Sequence, residues 1–176
     1  MRMPVCPLLP LLLIAALSCP VAGDPEPQPQ MEFTQGLQGT FNADWDGVAG
    51  RTYFTQFSLD LQTWHYAPFI DFGDGEHRRG CRSSSDKFFL RLHYGDYSGI
   101  DSLDDAMNAD FDGDGMSNVF EVTYGYDPFD QESTVDGPDA SLDPDGDGLG
   151  NSSEQSAGSD PMARDNGLLE LEVSVD

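Results

Sequence analysis

Asp110-Phe111-Asp112-Gly113-Asp114-Gly115-Met116-Ser117-Asn118-Val119-Phe120-Glu121 is followed, 33 residues further on, by Asp143-Pro144-Asp145-Gly146-Asp147-Gly148-Leu149-Gly150-Asn151-Ser152-Ser153-Glu154. Both stretches read D-x-D-x-D-G-x-x-N-x-x-E. The same offset of 33 relates Gly125 to Gly158 and Asp127-Pro128 to Asp160-Pro161. One offset shared by several kinds of landmark marks duplicated structural units.

The spacing within each copy has a chemical reason. Calcium is a hard cation that takes about 6–8 oxygens at roughly 2.3–2.6 Å, and a twelve-residue loop supplies them in order. Carboxylates at positions 1, 3 and 5 are Asp110, Asp112 and Asp114 in the first copy and Asp143, Asp145 and Asp147 in the second. They converge only where the chain turns sharply, and Gly115 and Gly148 stand at position 6, where positive φ is needed. The carbonyls of Met116 and Leu149 then face the ion. Asn118 and Asn151 contribute directly or through water, and Glu121 and Glu154 close the sphere with both oxygens. Four acids meeting in one loop repel one another, so Ca2+ is expected to order it. Asp and Gly also favour plain turns. Asn at position 9 and Glu at position 12, present in both copies, favour calcium.

The flanks decide what kind of calcium unit this is. An EF-hand needs a helix on each side of its loop. Ser102 to Ala109 suits a short entering helix for the first copy, whereas Asp136-Gly137-Pro138-Asp139 does not for the second. Gly125 and Gly158 fall where a left-handed C-cap belongs, and Pro128 and Pro161 forbid continuation, which limits the exit helices to about one or two turns.

D-F-D-G-D-G-M-S-N-V-F-E-V-T-Y-G-Y-D-P (110–128) and D-P-D-G-D-G-L-G-N-S-S-E-Q-S-A-G-S-D-P (143–161) resemble bacterial thrombospondin type 3 repeats. The resemblance implies Asp-rich loops wrapped around calcium with little regular secondary structure. It implies Asp110, Asp112, Asp114, Asn118 and Glu121 as ligands, and likewise Asp143, Asp145, Asp147, Asn151 and Glu154. Residues 129–142 depart from the tight spacing of longer arrays and read as a spacer, so the two loops are expected to bind independently. Residues 50–94, with S-L-D-L-Q-T-W and K-F-F-L-R-L, resemble the β modules that precede such repeats in bacterial surface proteins.

Before the repeats the period changes to two. Phe88, Leu90, Leu92 and Tyr94 alternate with Phe89, Arg91 and His93, and Tyr53, Thr55 and Phe57 with Phe54, Gln56 and Ser58, as in half-buried strands. Trp64, Tyr66, Pro68, Ile70 and Phe72 form a third row, and Pro68 puts that strand at an edge or on a bulge. Thr40 to Trp45 suits a further strand, and Asp71-Phe72-Gly73-Asp74-Gly75 a hairpin turn. The expected fold is mainly β: a small antiparallel module of half-sandwich type over 31–100, then an acidic region of two calcium-binding loop repeats over 101–165. A tail over 166–176 includes a candidate last strand at Leu168–Val173.

Outside these regions, Arg2, the apolar run Leu8–Leu17 and small Ala22-Gly23 lay out a secretory signal peptide over 1–23, and the Pro/Gln-rich stretch 24–30 a linker. The run is too short to span a bilayer, and no other stretch is apolar over a spanning length. Export to the medium or the cell surface follows. A minority alternative makes Ala16-Leu17-Ser18-Cys19 a lipoprotein box anchored at Cys19. Cys81 alone remains after such a leader, so metal rather than a disulfide is the candidate staple.

The net charge is −24, and residues 101–165 hold 18 acids against one base, Arg164. That balance argues against nucleic-acid binding. No nucleophile motif or phosphate loop is present, and His65, His77 and His93 show no metal-ligand spacing, so the chain is not read as an enzyme. Alternation places His65 and His93 toward solvent. An extracellular protein or glycan partner is the rival reading, either through an aromatic platform of Trp45, Trp64 and Tyr66 or through dockerin-like helices.

Overall fold

The computed structural model describes residues 31–35, 41–75, 77–83 and 89–164. Its strands are β1 (Met31–Gln35), β2 (Phe41–Asp46), β3 (Thr52–Ser58), β4 (His65–Phe72), β5 (His77–Ser83) and β6 (Phe89–Gly95). Short helices α1 (Leu103–Asn108), α2 (Asn118–Tyr124) and α3 (Asn151–Ala157) follow, with a 3-10 turn at Asp139–Ser141. The proposed leader and linker, the tail strand at 168–173 and the side chain of Cys81 lie outside the described residues.

The strands pair antiparallel into two three-stranded sheets, ordered β1-β2-β5 and β4-β3-β6. The expectation of a mainly β fold with irregular repeats is met. Pro68 behaves as its chemistry requires. β4 is an edge strand, and its register against β3 shifts between Phe54 and Gln56, opposite the Pro68 stretch. The segment after β4 is not a hairpin turn, because β4 and β5 belong to different sheets. It crosses between them beside the β2–β3 connection, tied by Gly50 N–H to the Gly73 carbonyl and Gly75 N–H to the Gly47 carbonyl, both at 2.9 Å.

β3 is covered on both faces rather than half-buried. Tyr53 packs with Trp45 of β2 and with Leu92 and Tyr94 of β6, which joins the two sheets. Phe54 turns the other way. It shares a cluster with Tyr66 and Ile70 of β4, Ala106 of α1 and Val122 of α2, with Phe111, Val119 and Phe129 packed against it. The first repeat therefore lies on the outer face of the β4-β3-β6 sheet, and the apolar cluster crosses residue 100. For the same reason His93 does not face solvent. It is half-buried, with Nδ1 at 3.2 Å from the Tyr66 hydroxyl and its ring 6.0 Å from Phe129.

Phe54 is 0 % exposed, with ring centroids 5.8 Å from Phe111 and 5.1 Å from Phe129, both nearly edge-on. Tyr97, just beyond β6, stacks on Phe111 at 3.8 Å and 16°. The Tyr66 hydroxyl donates to the Asp127 carboxylate at 2.7 Å, a polar tie beside the apolar one. Phe111 is the second residue of the first Asp-rich loop, so the loop is anchored by an aromatic side chain of the sheet cluster. Truncating Phe54 to Ala should destabilise the protein by about 3–5 kcal/mol and also weaken metal binding at the first loop. Denaturant unfolding and a calcium titration of F54A check both. Destabilisation with unchanged binding would separate the loop from the cluster.

Candidate metal centre

Each loop is shaped by its own carboxylates. In the first, Asp110 accepts from Gly113 N–H at 2.6 Å through Oδ1 and from Gly115 N–H at 2.9 Å through Oδ2. Asp112 accepts from Asp114 N–H at 3.1 Å, and Asp114 from Met116 N–H at 2.8 Å. The second loop repeats the pattern: Asp143 with Gly146 and Gly148 at 2.8 and 2.9 Å, Asp145 with Asp147 at 3.0 Å, Asp147 with Leu149 at 2.8 Å. Gly115 and Gly148 take φ of 99° and 101°, the left-handed conformation that position 6 requires. Carboxylate oxygens of Asp110, Asp112 and Asp114 thereby lie within 4.8 Å of one another, as do those of Asp143, Asp145 and Asp147.

The short helices aim the last acid of each loop inward. α1 starts at Ser102, whose Oγ accepts from Asp105 N–H at 3.1 Å and donates to the Asp105 carboxylate at 2.7 Å. Helices α2 and α3 are seven residues each and end on left-handed Gly125 and Gly158, as expected. One face of α2 carries Val119 and Val122 to the sheet cluster. Its Glu121 is 0 % exposed, and neither carboxylate oxygen has a hydrogen-bond partner among the described residues. The same is true of the second oxygens of Asp112, Asp114 and Asp145. Ionised oxygens buried without partners are costly, and a cation is the usual remedy.

Asn118 is placed differently from the other sequence candidates. Its Nδ2 donates to the Ala106 carbonyl at 2.8 Å and its Oδ1 accepts from Phe111 N–H at 3.2 Å, so both ends brace the chain around the loop. Asn151 repeats half of this, donating to the Asp139 carbonyl at 2.7 Å. Gln131 and Arg164 each reach back to a position-3 carbonyl, those of Asp112 and Asp145. This last pairing extends the 33-residue repeat beyond the Asp-Pro steps, and Gln and Arg share no chemistry that would reveal it in sequence.

The spacer is folded, not slack. Thr134 and Gly137 form a bridge, and Asp139 N–H donates to the Gln131 carbonyl at 2.9 Å. Gln155 of α3 crosses to the first loop. Its Oε1 accepts from Ser117 N–H at 2.8 Å and from Ser117 Oγ at 2.9 Å, while its Nε2 donates to the Gly115 carbonyl at 3.3 Å. The repeats are thus in contact across the stretch that was expected to be a flexible spacer. Of the aromatic platform, Trp45 and Tyr66 are buried in two different clusters, and Trp64 lies under the Arg91 guanidinium at 4.3 Å.

Residues 110–131 and 143–163 match the bacterial TSP3 repeat family, in agreement with the sequence resemblance. No curated protein and no solved structure matches the chain. The two loops are therefore TSP3 repeats, of a family that binds calcium, each with a cluster of Asp side chains fit to hold a metal ion.

Burial, reinforced by the charges of Asp112, Asp114 and Asp110, pushes the Glu121 carboxyl up to about 9 from its ordinary 4.5. Burial also moves Asp112 up to about 6, with the charges of Asp114 and Asp110 adding to it. A raised folded-state pKa means the folded chain holds protons that the unfolded chain has released. With calcium chelated, stability is then expected to fall as pH rises from 4.5 toward 9. Calcium replaces those protons, so binding at neutral pH should release them. Thermal midpoints across pH in chelator, and calorimetric titrations in buffers of different ionisation enthalpy, check this. A binding heat independent of buffer would contradict it.

Proposed function

We propose that this is an exported, non-catalytic calcium-binding protein of the bacterial cell surface or its surroundings, in which calcium orders two TSP3 repeats against a β module. The observation that carries the reading is Glu121: a fully buried carboxylate whose two oxygens have no hydrogen-bond partner among the described residues, at position 12 of a loop whose three Asp carboxylates already converge. The proposed ligands of the first ion are Asp110, Asp112, Asp114, the Met116 carbonyl and Glu121, with Asn118 as a brace. Those of the second are Asp143, Asp145, Asp147, the Leu149 carbonyl and Glu154, with Asn151 in the bracing place.

Export is supported by the leader pattern of residues 1–23 and by family. No helix among the described residues is long and apolar enough to cross a membrane. Support for a non-catalytic role is that His93 is engaged with Tyr66 in the packing seam, while His65 lies exposed beside Phe57. A glycan or protein partner is compatible with this reading.

Calcium at about 100 times its dissociation constant should add roughly 2.7 kcal/mol per site, raising the thermal midpoint. Magnesium should substitute poorly, because it demands near-octahedral geometry and keeps its waters. Equal stabilisation by the two ions would count against the loop chemistry. Glu121→Gln and Glu154→Gln should each weaken binding. Because Gln155 ties α3 to the first loop, their effects should couple by on the order of 1 kcal/mol. Calorimetric titration of both single variants and the double variant measures the coupling, and strict additivity would show the contact to be energetically idle.

A further inference from the structure

The two loops share one backbone, yet the protein's own groups support them unequally. Gln131 and Arg164 are equivalent at the offset of 33. Each donates to the carbonyl of its loop's position-3 residue, Asp112 in the first repeat and Asp145 in the second. The bond is the same and the charge is not: an amide stands at the first loop and a guanidinium at the second. Arg164 is also the closer of the two. A Cβ added at Gly146 would meet Arg164 Nη2 at 2.8 Å, whereas one added at Gly113 would meet Gln131 Nε2 at 3.7 Å. Gly146 lies between Asp145 and Asp147, two of the three residues whose carboxylates converge. The one base among the 18 acids of residues 101–165 is thus held against the second loop.

The closing acids differ in the same sense. Glu154 Oε1 accepts from Ser159 Oγ at 3.3 Å. Neither oxygen of Glu121 has a hydrogen-bond partner among the described residues, and the residue equivalent to Ser159 is Tyr126. The backbones match at this place, with Ser159 N–H on the Glu154 carbonyl at 3.0 Å and Tyr126 N–H on the Glu121 carbonyl at 2.9 Å. The side chains make the difference.

We infer that Arg164 lowers the calcium affinity of the second loop, as a fixed cation that competes with the ion. The inference rests on the calcium reading of that loop. Without calcium the guanidinium offsets part of the repulsion among the loop's acids. Calcium brings two further positive charges toward a group that is already positive, so Arg164 favours the metal-free loop over the loaded one. Its exposure to solvent and salt keeps the effect modest. Gln131 imposes no such penalty on the first loop, whose repeat lies against the sheet. Arg164 therefore biases filling toward the first loop, and rising calcium secures the repeats in order outward from the sheet.

The test is a reciprocal exchange, read by calcium titration. Arg164→Gln is measured in Glu121→Gln, which isolates the second site, and Gln131→Arg in Glu154→Gln, which isolates the first. Gln and Arg each make the carbonyl bond in one repeat, so the exchange moves the charge and keeps the donor. Second-site affinity should rise about threefold in Arg164→Gln, and first-site affinity should fall about as much in Gln131→Arg. Both differences should shrink as salt is raised from about 0.01 M to about 1 M. Arg164→Lys, which keeps the charge, should stay near the parent's affinity, and a Lys variant behaving like the Gln variant would count against the charge. In chelator, Arg164→Gln should have a lower thermal midpoint than its parent, because an attractive charge is gone. A residue that only held the loop's shape would lower midpoint and affinity together, without a salt dependence. Unchanged or lower second-site affinity in Arg164→Gln overturns the assignment. If Glu154→Gln itself left calcium binding intact, the calcium reading of the second loop would fail. If Glu154→Gln weakened binding and Arg164→Gln did not strengthen it, only the role of Arg164 would fail.

Discussion

The structure depends on where Glu121 sits. Its carboxylate is buried at the end of an Asp-rich loop, while Val122, the next residue, and Val119, two residues earlier, pack into the cluster on the outer face of the β4-β3-β6 sheet. Seven residues of helix thus join an acidic loop to an apolar face. Without a counter-charge the loop opposes burial, by desolvation and by mutual repulsion of its acids. Calcium is the proposed counter-charge, and it would act on the sheet face as well as on the loop.

From this constraint follows a layered order. The first repeat covers the sheet through Phe111, Phe129, Val119, Val122 and Ala106. The second covers the first through Gln155 and through the Asp139 amide, which donates to the Gln131 carbonyl. The backbone arrangement is the same in both, down to the Asn that holds the carbonyl four residues ahead of its loop. The equivalent side chains differ: Ala106 packs in the sheet cluster, and Asp139 is a buried carboxylate.

Much of this was legible in the residues. The loops, the caps at Gly125 and Gly158, the strand rows and the edge position signalled by Pro68 all rest on local chemistry, and local chemistry is written in order along the chain. The joining of the two regions was not legible. Phe111 reads as a variable residue inside a metal loop and Phe129 as part of a spacer, yet both pack on Phe54, 57 and 75 residues away in sequence. The alternation of β3 promised one wet face because nothing in its own residues says that another segment will cover it. Asn118 resembles a ligand at position 9 by spacing alone. Its engagement with the Ala106 carbonyl and the Phe111 amide depends on where α1 runs. The crossing at Gly73–Gly75 could not be told from a hairpin, because turn residues do not name the strand that follows.

Amide hydrogen exchange on the whole protein, in calcium and in chelator, tests the central claim most directly. If calcium at the first loop secures the repeat against the sheet, protection should rise together in the loop 110–121, in α2 and in strands β3 and β4. Protection confined to the loop, with β3 and β4 unchanged, would show that the sheet does not depend on the ion and would contradict the account.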